Sequence, residues 1–393
     1  MKRYLLRLYP ELPLCVDDAT VIPATALRGA LAEALLASCV QSHQHDTGPC
    51  SPNCRYWTLF GEGTESRIGP AYAGSGDDTF PLLATARTCS RVPGFKGAGG
   101  HGVFDVAIRE YVFEVAATHP ERILSPYNPA CPVCVMPVVP WTGIAVKRAE
   151  REFTMLGNVA TPVVSHHAAF SRVRRQPVRD YAINAKLVQG GTRYTARLLL
   201  PDQAEATLRQ AISSGLWIGA NRHRGYGALR AELLPDEHVP EDIRERIKAF
   251  NRAIRAERRF YSAMTGGTAA LSSASLDEGE WYFTLDMSVP ALVDLAAGPS
   301  MIPALSALPS VEVVRAWIAP RVEGGWHAAA GLPRRTQPGV SGVALYRVSA
   351  ESNRAAVDEV LAFLEDSGIG MARERGYGAI KICDPLHLWI EAV

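Results

Sequence analysis

Two stretches of this chain combine arginine and glycine at one spacing: residues 219–230 read GANRHRGYGALR and residues 370–381 read GMARERGYGAIK. Aligned without gaps they share Gly, Arg, Arg, Gly, Tyr, Gly and Ala. Glycine lets the backbone take positive φ and approach a ligand closely, and an adjoining arginine grips a phosphate through two parallel hydrogen bonds. Arg222, Arg224, Gly225 and Gly227 in the first copy, with Arg373, Arg375, Gly376 and Gly378 in the second, therefore suit a polyanion. The competing reading is a tight turn with solvated arginines, which one short motif does not exclude. Repetition after matched helices weakens it.

A second constellation suits a metal. Cys131 and Cys134 form a CPVC pair, and Cys89 and His101 lie upstream. A CxxC turn offers two thiolates to one tetrahedral ion, and four filled positions leave none open, so the spacing predicts a structural zinc. The alternative is buried reduced thiols beside an unrelated histidine. His43, His45, Cys50 and Cys54 fall within a polar loop, where they are either a further metal site or incidental.

The densest positive charge lies in HHAAFSRVRRQPVRDYAINAK, with Arg172, Arg174, Arg175 and Arg179 near Phe170 and Tyr181. Basic side chains interleaved with aromatics suit single-stranded RNA, with arginines on phosphates and rings on bases. A solvated basic face is the plainer alternative. Arg334 and Arg335, in a loop with Trp326, repeat the theme.

Both glycine loops follow helices. Ala204, Leu208, Ala211 and Ile212 share one helical face, as do Val357, Val360, Leu361 and Leu364. Each helix meets a glycine, Gly215 or Gly368, suited to a left-handed C-terminal cap. Each loop leads into a strand, Ala228–Leu233 or Ala379–Cys383. The repeat therefore predicts two related domains. The first spans residues 1–235 with a Cys/His insertion at about 40–150, residues 236–279 form a helix and linker, and 280–393 form the second. Residues 2–9 read as the opening strand. Thr25 is placed to cap a helix carrying Leu27, Leu31 and Leu35, with Arg28 in its first turn, where the dipole calls for an anionic partner. Residues 103–117 read as an inserted helix.

At 393 residues the chain is long enough for two cores, and its 47% hydrophobic content is that of a globular protein. A net charge of +1 excludes a generally basic coat, so anion binding must come from local clusters. No apolar run would span a bilayer and no signal-peptide core precedes the first charges, which predicts a cytoplasmic protein without membrane contact. There, eight cysteines serve better as thiols and ligands than as disulfides.

The IPATALRGALAEAL helix, the LFG stretch, the arginine-rich segment and the two RGYG loops resemble RAMP proteins of CRISPR effector complexes. The order TC, GFKG, HGVFD, CPVC resembles more narrowly the Csx-ten-type, Cas-five-like subunits of type III-D effectors, over nearly the whole chain. The resemblance implies an α+β fold of two ferredoxin-like βαββαβ domains, with a glycine loop before each final strand. It places Arg28 and both loops, including His223, Tyr226 and Tyr377, on guide-RNA-binding positions, and Cys89, His101, Cys131 and Cys134 on a metal cluster. It also implies a non-catalytic subunit that recognises the 5′ handle of the guide RNA (crRNA) and docks against the large polymerase-like subunit and the RAMP backbone subunits. Two alternatives stay open. One is a metal-independent endoribonuclease drawing on His166, His167 or His223 with Asp105 or Asp180; the other is a zinc-bound adaptor that touches only protein.

Overall fold

The computed structural model describes the chain apart from residues 17, 38, 40–44, 46–47, 62–63, 75–78, 118–126, 150–151, 157–161, 172, 189–190, 238–240, 265–279, 295–304, 306–307, 309–310, 328–331, 334, 350–352 and 393. It is a mixed α/β structure with several antiparallel sheets. The longer strands of the two main sheets are β1 (Lys2–Pro10), β2 (Arg67–Ala73), β3 (Tyr194–Leu200), β4 (Ala228–Pro235), β5 (Trp281–Met287), β6 (Val311–Glu323), β7 (Gln337–Val348) and β8 (Ile380–Ile382), with Val21–Ile22, Leu216–Trp217 and Ala291–Leu292 as short additions. The α-helices among the described residues are α1 (Ala24–Ala37), α2 (Arg55–Phe60), α3 (Ala107–Ala117), α4 (Ala204–Ile212), α5 (Ile243–Met264), α6 (Arg354–Ser367) and α7 (Leu386–Trp389). None of them is long and apolar enough to cross a membrane.

The first sheet runs β4-β1-β3-β2, every pair antiparallel. Alternation along β1 sends Tyr4, Leu6 and Leu8 into one core with Leu27, Leu31 and Leu35 of α1 and Leu208 and Ile212 of α4. Each such leucine contributes roughly 1.5–3 kcal/mol on leaving water. Helix α1 starts two residues earlier than the Thr25 cap predicts: Leu27 N donates to the Pro23 carbonyl at 3.0 Å. The fixed φ of Pro23 leads the chain into the helix, leaving Thr25 inside its first turn.

The second sheet runs β8-β5-β7-β6, again antiparallel throughout. Its core joins Phe283 and Leu285 of β5 to Val357 and Leu361 of α6. Helix α5, expected between the halves, buries Ile247, Phe250 and Ile254 in this second core, and α3 adds Tyr111 and Val112. The expected linker beyond Met264 lies outside the described residues.

The inserted region has its own sheet, Ala86–Cys89 between Val103–Asp105 and Val138–Pro140. Glu391–Ala392 pairs with Val103–Asp105 in parallel, tying the region to the C-terminal half. Val103–Asp105 is thus strand where helix is expected. The Asp105 carboxylate accepts from Ala107 N at 2.9 Å, so the helix begins only there.

Candidate nucleic-acid interface and metal centre

The two glycine loops share a backbone bond for bond. In the first, Ile218 N donates to the Gly227 carbonyl, Gly227 N to Pro13 and Ala220 N to Cys15, each at 2.9 Å. In the second, Ile369 N donates to Gly378, Gly378 N to Pro290 and Met371 N to Leu292, at 2.9, 2.9 and 3.0 Å. Each then makes one 3₁₀ turn, Arg222–Arg224 or Arg373–Arg375, entered through a residue in the left-handed region (Asn221, φ 57°; Ala372, φ 53°) and left through Gly225 (φ 84°) or Gly376 (φ 89°). A Cβ on Gly227 would stand 2.2 Å from the Ile218 carbonyl, and one on Gly378 1.9 Å from Ile369. The shared glycines follow from that crowding.

Their surroundings differ. The first loop presents His223, Arg224 and Gly225 to solvent, while Arg222 pairs with Glu33 on α1 and Tyr226 is half-buried. The second loop is laid on the N-terminal half. A Cβ on Gly376 would meet the Ala24 Cβ at 2.8 Å, and Gly376, Tyr377 and Gly378 are buried. Arg28, 8% exposed, donates from Nε to the Glu374 carbonyl at 2.7 Å and from Nη2 to the Phe60 carbonyl at 2.6 Å. Its guanidinium lies 5.1 Å from the Phe60 ring centroid. Arg28 is thus held by two backbone carbonyls, one of them from the second loop, which covers the α1 terminus. Arg67 Nε donates to the Ser367 carbonyl at 3.1 Å, and the Tyr377 hydroxyl to Gly324 at 2.8 Å. Arg373 donates to the Ser367 hydroxyl and the Gly368 carbonyl, and Arg375 pairs with Glu374 at 3.3 Å.

The arginine-rich segment forms a long hairpin, Pro162–Ser171 against Gln176–Val188. Arg174 and Arg175 are exposed at its tip, Arg175 with φ 49°. Arg335 is exposed; Arg172 and Arg334 lie outside the described residues. His166 and His167 are consecutive on one strand, in register with Asn184 and Ile183.

Between the halves runs a groove whose lining includes Arg87, Lys147, Arg197, Arg321 and Trp389. Arg197 pairs with Asp236 at 3.4 Å. Arg87 donates to the Ala84 and Ala86 carbonyls, Arg321 to the Ser341 hydroxyl, and the Lys147 ammonium sits 4.0 Å from the Trp389 ring centroid. Arg87 and Lys147 thus contact neutral groups, whereas Arg321 also feels the Glu323 carboxylate of the same lining, to which Glu241, Asp366 and Asp384 belong as well. Sequence reading passes over these residues because they are isolated in the chain.

Cys89, His101, Cys131 and Cys134 converge, their ligand atoms within 4.8 Å of one another. The Cys89 and Cys134 sulfurs are 3.4 Å apart, and the Cys131 sulfur is 3.6 Å from His101 Nδ1. A tetrahedral zinc with bonds of about 2.0–2.3 Å sets ligand atoms roughly 3.5–3.8 Å apart, so the donor set fits that ion. Burial pushes the Cys89 thiol up, yet the N–H groups of Val92 and Arg91, both 3.4 Å from its sulfur, and the neighbouring thiols bring it down to about 6. Such N–H···S bonds stabilise a thiolate, the form that ligates. Of the upstream group, His43 lies outside the described residues; His45, Cys50 and Cys54 gather with Cys39 between α1 and α2.

Asp105 is buried, accepting from the Thr85 hydroxyl and standing 3.2 Å from His387 Nδ1. Asp286 of β5 sits 3.0 Å from His387 Nε2. The imidazole on α7, fully enclosed, thus bridges a carboxylate of the inserted sheet and one of the second main sheet. Burial lowers its affinity for protons, but the charges of Asp286 and Asp105 win and hold it well above the ordinary 6.5.

Neither a protein-family model nor a curated relative matches the chain. Similar solved structures include chains of CRISPR complexes. One in the cryo-EM structure of the type III-B Cmr-beta complex bound to cognate target RNA is 11% identical, over 96% of each chain, with a TM-score of 0.42. Oligomeric Cmr4 from Pyrococcus furiosus is 14% identical, covering 61% of this chain and 100% of that one, with a TM-score of 0.26. A chain of a type IV-B CRISPR complex is 10% identical, over 61% and 93%, at 0.27.

Proposed function

We propose that this chain is a RAMP subunit of a type III CRISPR ribonucleoprotein, of the type III-D kind, that holds the 5′ handle of the guide RNA without cutting it. The observation that carries this reading is the contrast between two loops of one backbone, of which the first alone leaves His223 and Arg224 in solvent. RNA held there would set its phosphates on His223 and Arg224, with Arg174 and Arg175, exposed at the hairpin tip, as further cations, and phosphate contacts would supply the affinity.

The strand orders support the fold half of the reading. Both β4-β1-β3-β2 and β8-β5-β7-β6 are the order of a split βαβ pair, so each half is taken as one ferredoxin-like domain. Zinc held by Cys89, His101, Cys131 and Cys134 would fix the inserted sheet; its chemistry there is structural, since four protein ligands leave no position for substrate. The large polymerase-like subunit and RAMP backbone subunits are the protein partners this role requires.

Fluorescence anisotropy with labelled guide RNA tests the role, beside a scrambled-handle control and a cleavage gel. Saturable, handle-dependent binding with intact RNA is expected; equal affinity for both RNAs, or discrete cleavage products, refutes it. Arg224→Ala should weaken binding by several-fold and reduce the slope of log K against log salt by about one, as for one lost phosphate contact. Arg375→Ala, already paired with Glu374, should change neither by as much. For the metal, Cys131→Ser should lose one equivalent of zinc by elemental analysis, and full retention removes the site from Cys131.

A further inference from the structure

Helix α1 ends near Cys39, and the chain returns through His45 and Cys50 to Cys54, which stands at the N-terminus of α2. Four soft ligands meet at this junction. The sulfurs of Cys39 and Cys50 lie 3.8 Å apart, the Cys39 sulfur is 3.8 Å from His45 Nε2, and that nitrogen is 3.0 Å from the Cys54 sulfur. The ligand atoms of Cys39, His45 and Cys50 all fall within 4.8 Å of one another, with His45 and Cys54 buried. Cys39, His45 and Cys50 thus lie near the roughly 3.5–3.8 Å edge of a zinc tetrahedron, and Cys54, outside their mutual set, is the fourth donor through its 3.0 Å approach to the His45 nitrogen.

We propose that Cys39, His45, Cys50 and Cys54 form a second structural zinc site, independent of the one at Cys89, His101, Cys131 and Cys134 and of any RNA bound. A disulfide between Cys39 and Cys50 would engage two of the four groups. A Zn²⁺ ion uses all of them. Binding releases the three thiol protons and leaves a complex of net charge −1, the imidazole staying neutral. Three thiolates and one imidazole select zinc over the hard divalent cations.

The Cys54 sulfur accepts from Trp57 N at 3.4 Å, the same N–H···S arrangement that Arg91 and Val92 make to Cys89. The His45 ring packs edge-on against Tyr56, centroids 4.9 Å apart, and Tyr56 against Phe60. Metal at this point fixes α2, whose last residue, Phe60, offers the carbonyl that Arg28 holds. The site therefore sits one short helix from the clamp on the second glycine loop.

Metal stoichiometry of the purified full chain tests the proposal. Elemental analysis should find two zinc ions per chain, one in Cys50→Ser, one in Cys131→Ser and none in the double variant. Should Cys50→Ser not fold, the ion that Cys131→Ser retains still decides the matter. Cobalt replacement should give tetrahedral visible bands at two equivalents, and His45→Cys should retain metal while shifting its sulfur-to-cobalt charge-transfer band. A zinc content in Cys50→Ser equal to that of the wild type, no zinc retained by Cys131→Ser, or a Cys39–Cys50 disulfide in protein prepared under reducing conditions, overturns it. Loss of handle binding in Arg224→Ala would leave this count unchanged, so the two readings fail separately.

Discussion

Arg28→Ala should lower the unfolding free energy by about 3–5 kcal/mol. Two hydrogen bonds from a charged donor contribute roughly 1.5–3 kcal/mol each, and of the carbonyls they leave that of Phe60 is buried and that of Glu374 partly so. The contact with the Phe60 ring adds about 1 kcal/mol. Lysine reaches one carbonyl at a time, so Arg28→Lys should recover less than half of the loss. Chemical denaturation measures the energy, and hydrogen exchange at residues 373–378 shows whether the second glycine loop loosens with it. Unchanged exchange in Arg28→Ala would mean that the loop is held by its other contacts, among them the Gly378 and Met371 backbone bonds and the Tyr377 hydroxyl.

His387→Ala should cost a similar amount, about 3–5 kcal/mol, by leaving two buried carboxylates without their cation. This centre also sets a pH dependence. The folded-state pKa of His387 is raised, so the folded chain keeps a proton that the unfolded chain loses above 6.5. The stabilisation is therefore complete below pH 6.5 and falls away as pH climbs through the raised value, at up to about 1.4 kcal/mol per pH unit. In His387→Asn that decline above pH 6.5 should disappear. Denaturation midpoints from pH 6 to 9 for both proteins check it, and parallel curves would show that the imidazole is neutral in the fold. Phe250 closes the ring against solvent, 5.5 Å away, so buffer composition should matter little.

Legibility followed sequence distance. The repeated loops were plain because Asn221–Gly227 and Ala372–Gly378 carry their geometry locally: a 3₁₀ turn, a left-handed glycine, a second glycine against a carbonyl. The strands beginning at Lys2 and Trp281 and the apolar stripe of α5 were equally local. Nothing local told the two loops apart. The second is covered by Ala24, Arg28 and Ile68, more than 300 residues upstream. The His387 centre draws one residue from each of three remote segments, so no spacing could announce it. Cys39 was hidden differently: it ends an apolar helix and reads as one more core residue, although a thiol six residues ahead of His45 was a signal. Arg87, Lys147 and Arg321 carry no motif at all, and only the groove unites them.

The register of β1 bears on how the chain is made. Leu6 pairs with Ala196 on one side and Leu233 on the other, so both edges of this strand wait for partners about 190 or more residues away. At a ribosomal pace of about 5–20 residues per second, that is roughly ten to forty seconds during which Tyr4, Leu6 and Leu8 lie on an unpaired strand. An open apolar edge of this kind invites pairing between nascent chains. Yield in cells should therefore depend on holding chaperones and on translation speed far more than the stability of the finished protein would suggest.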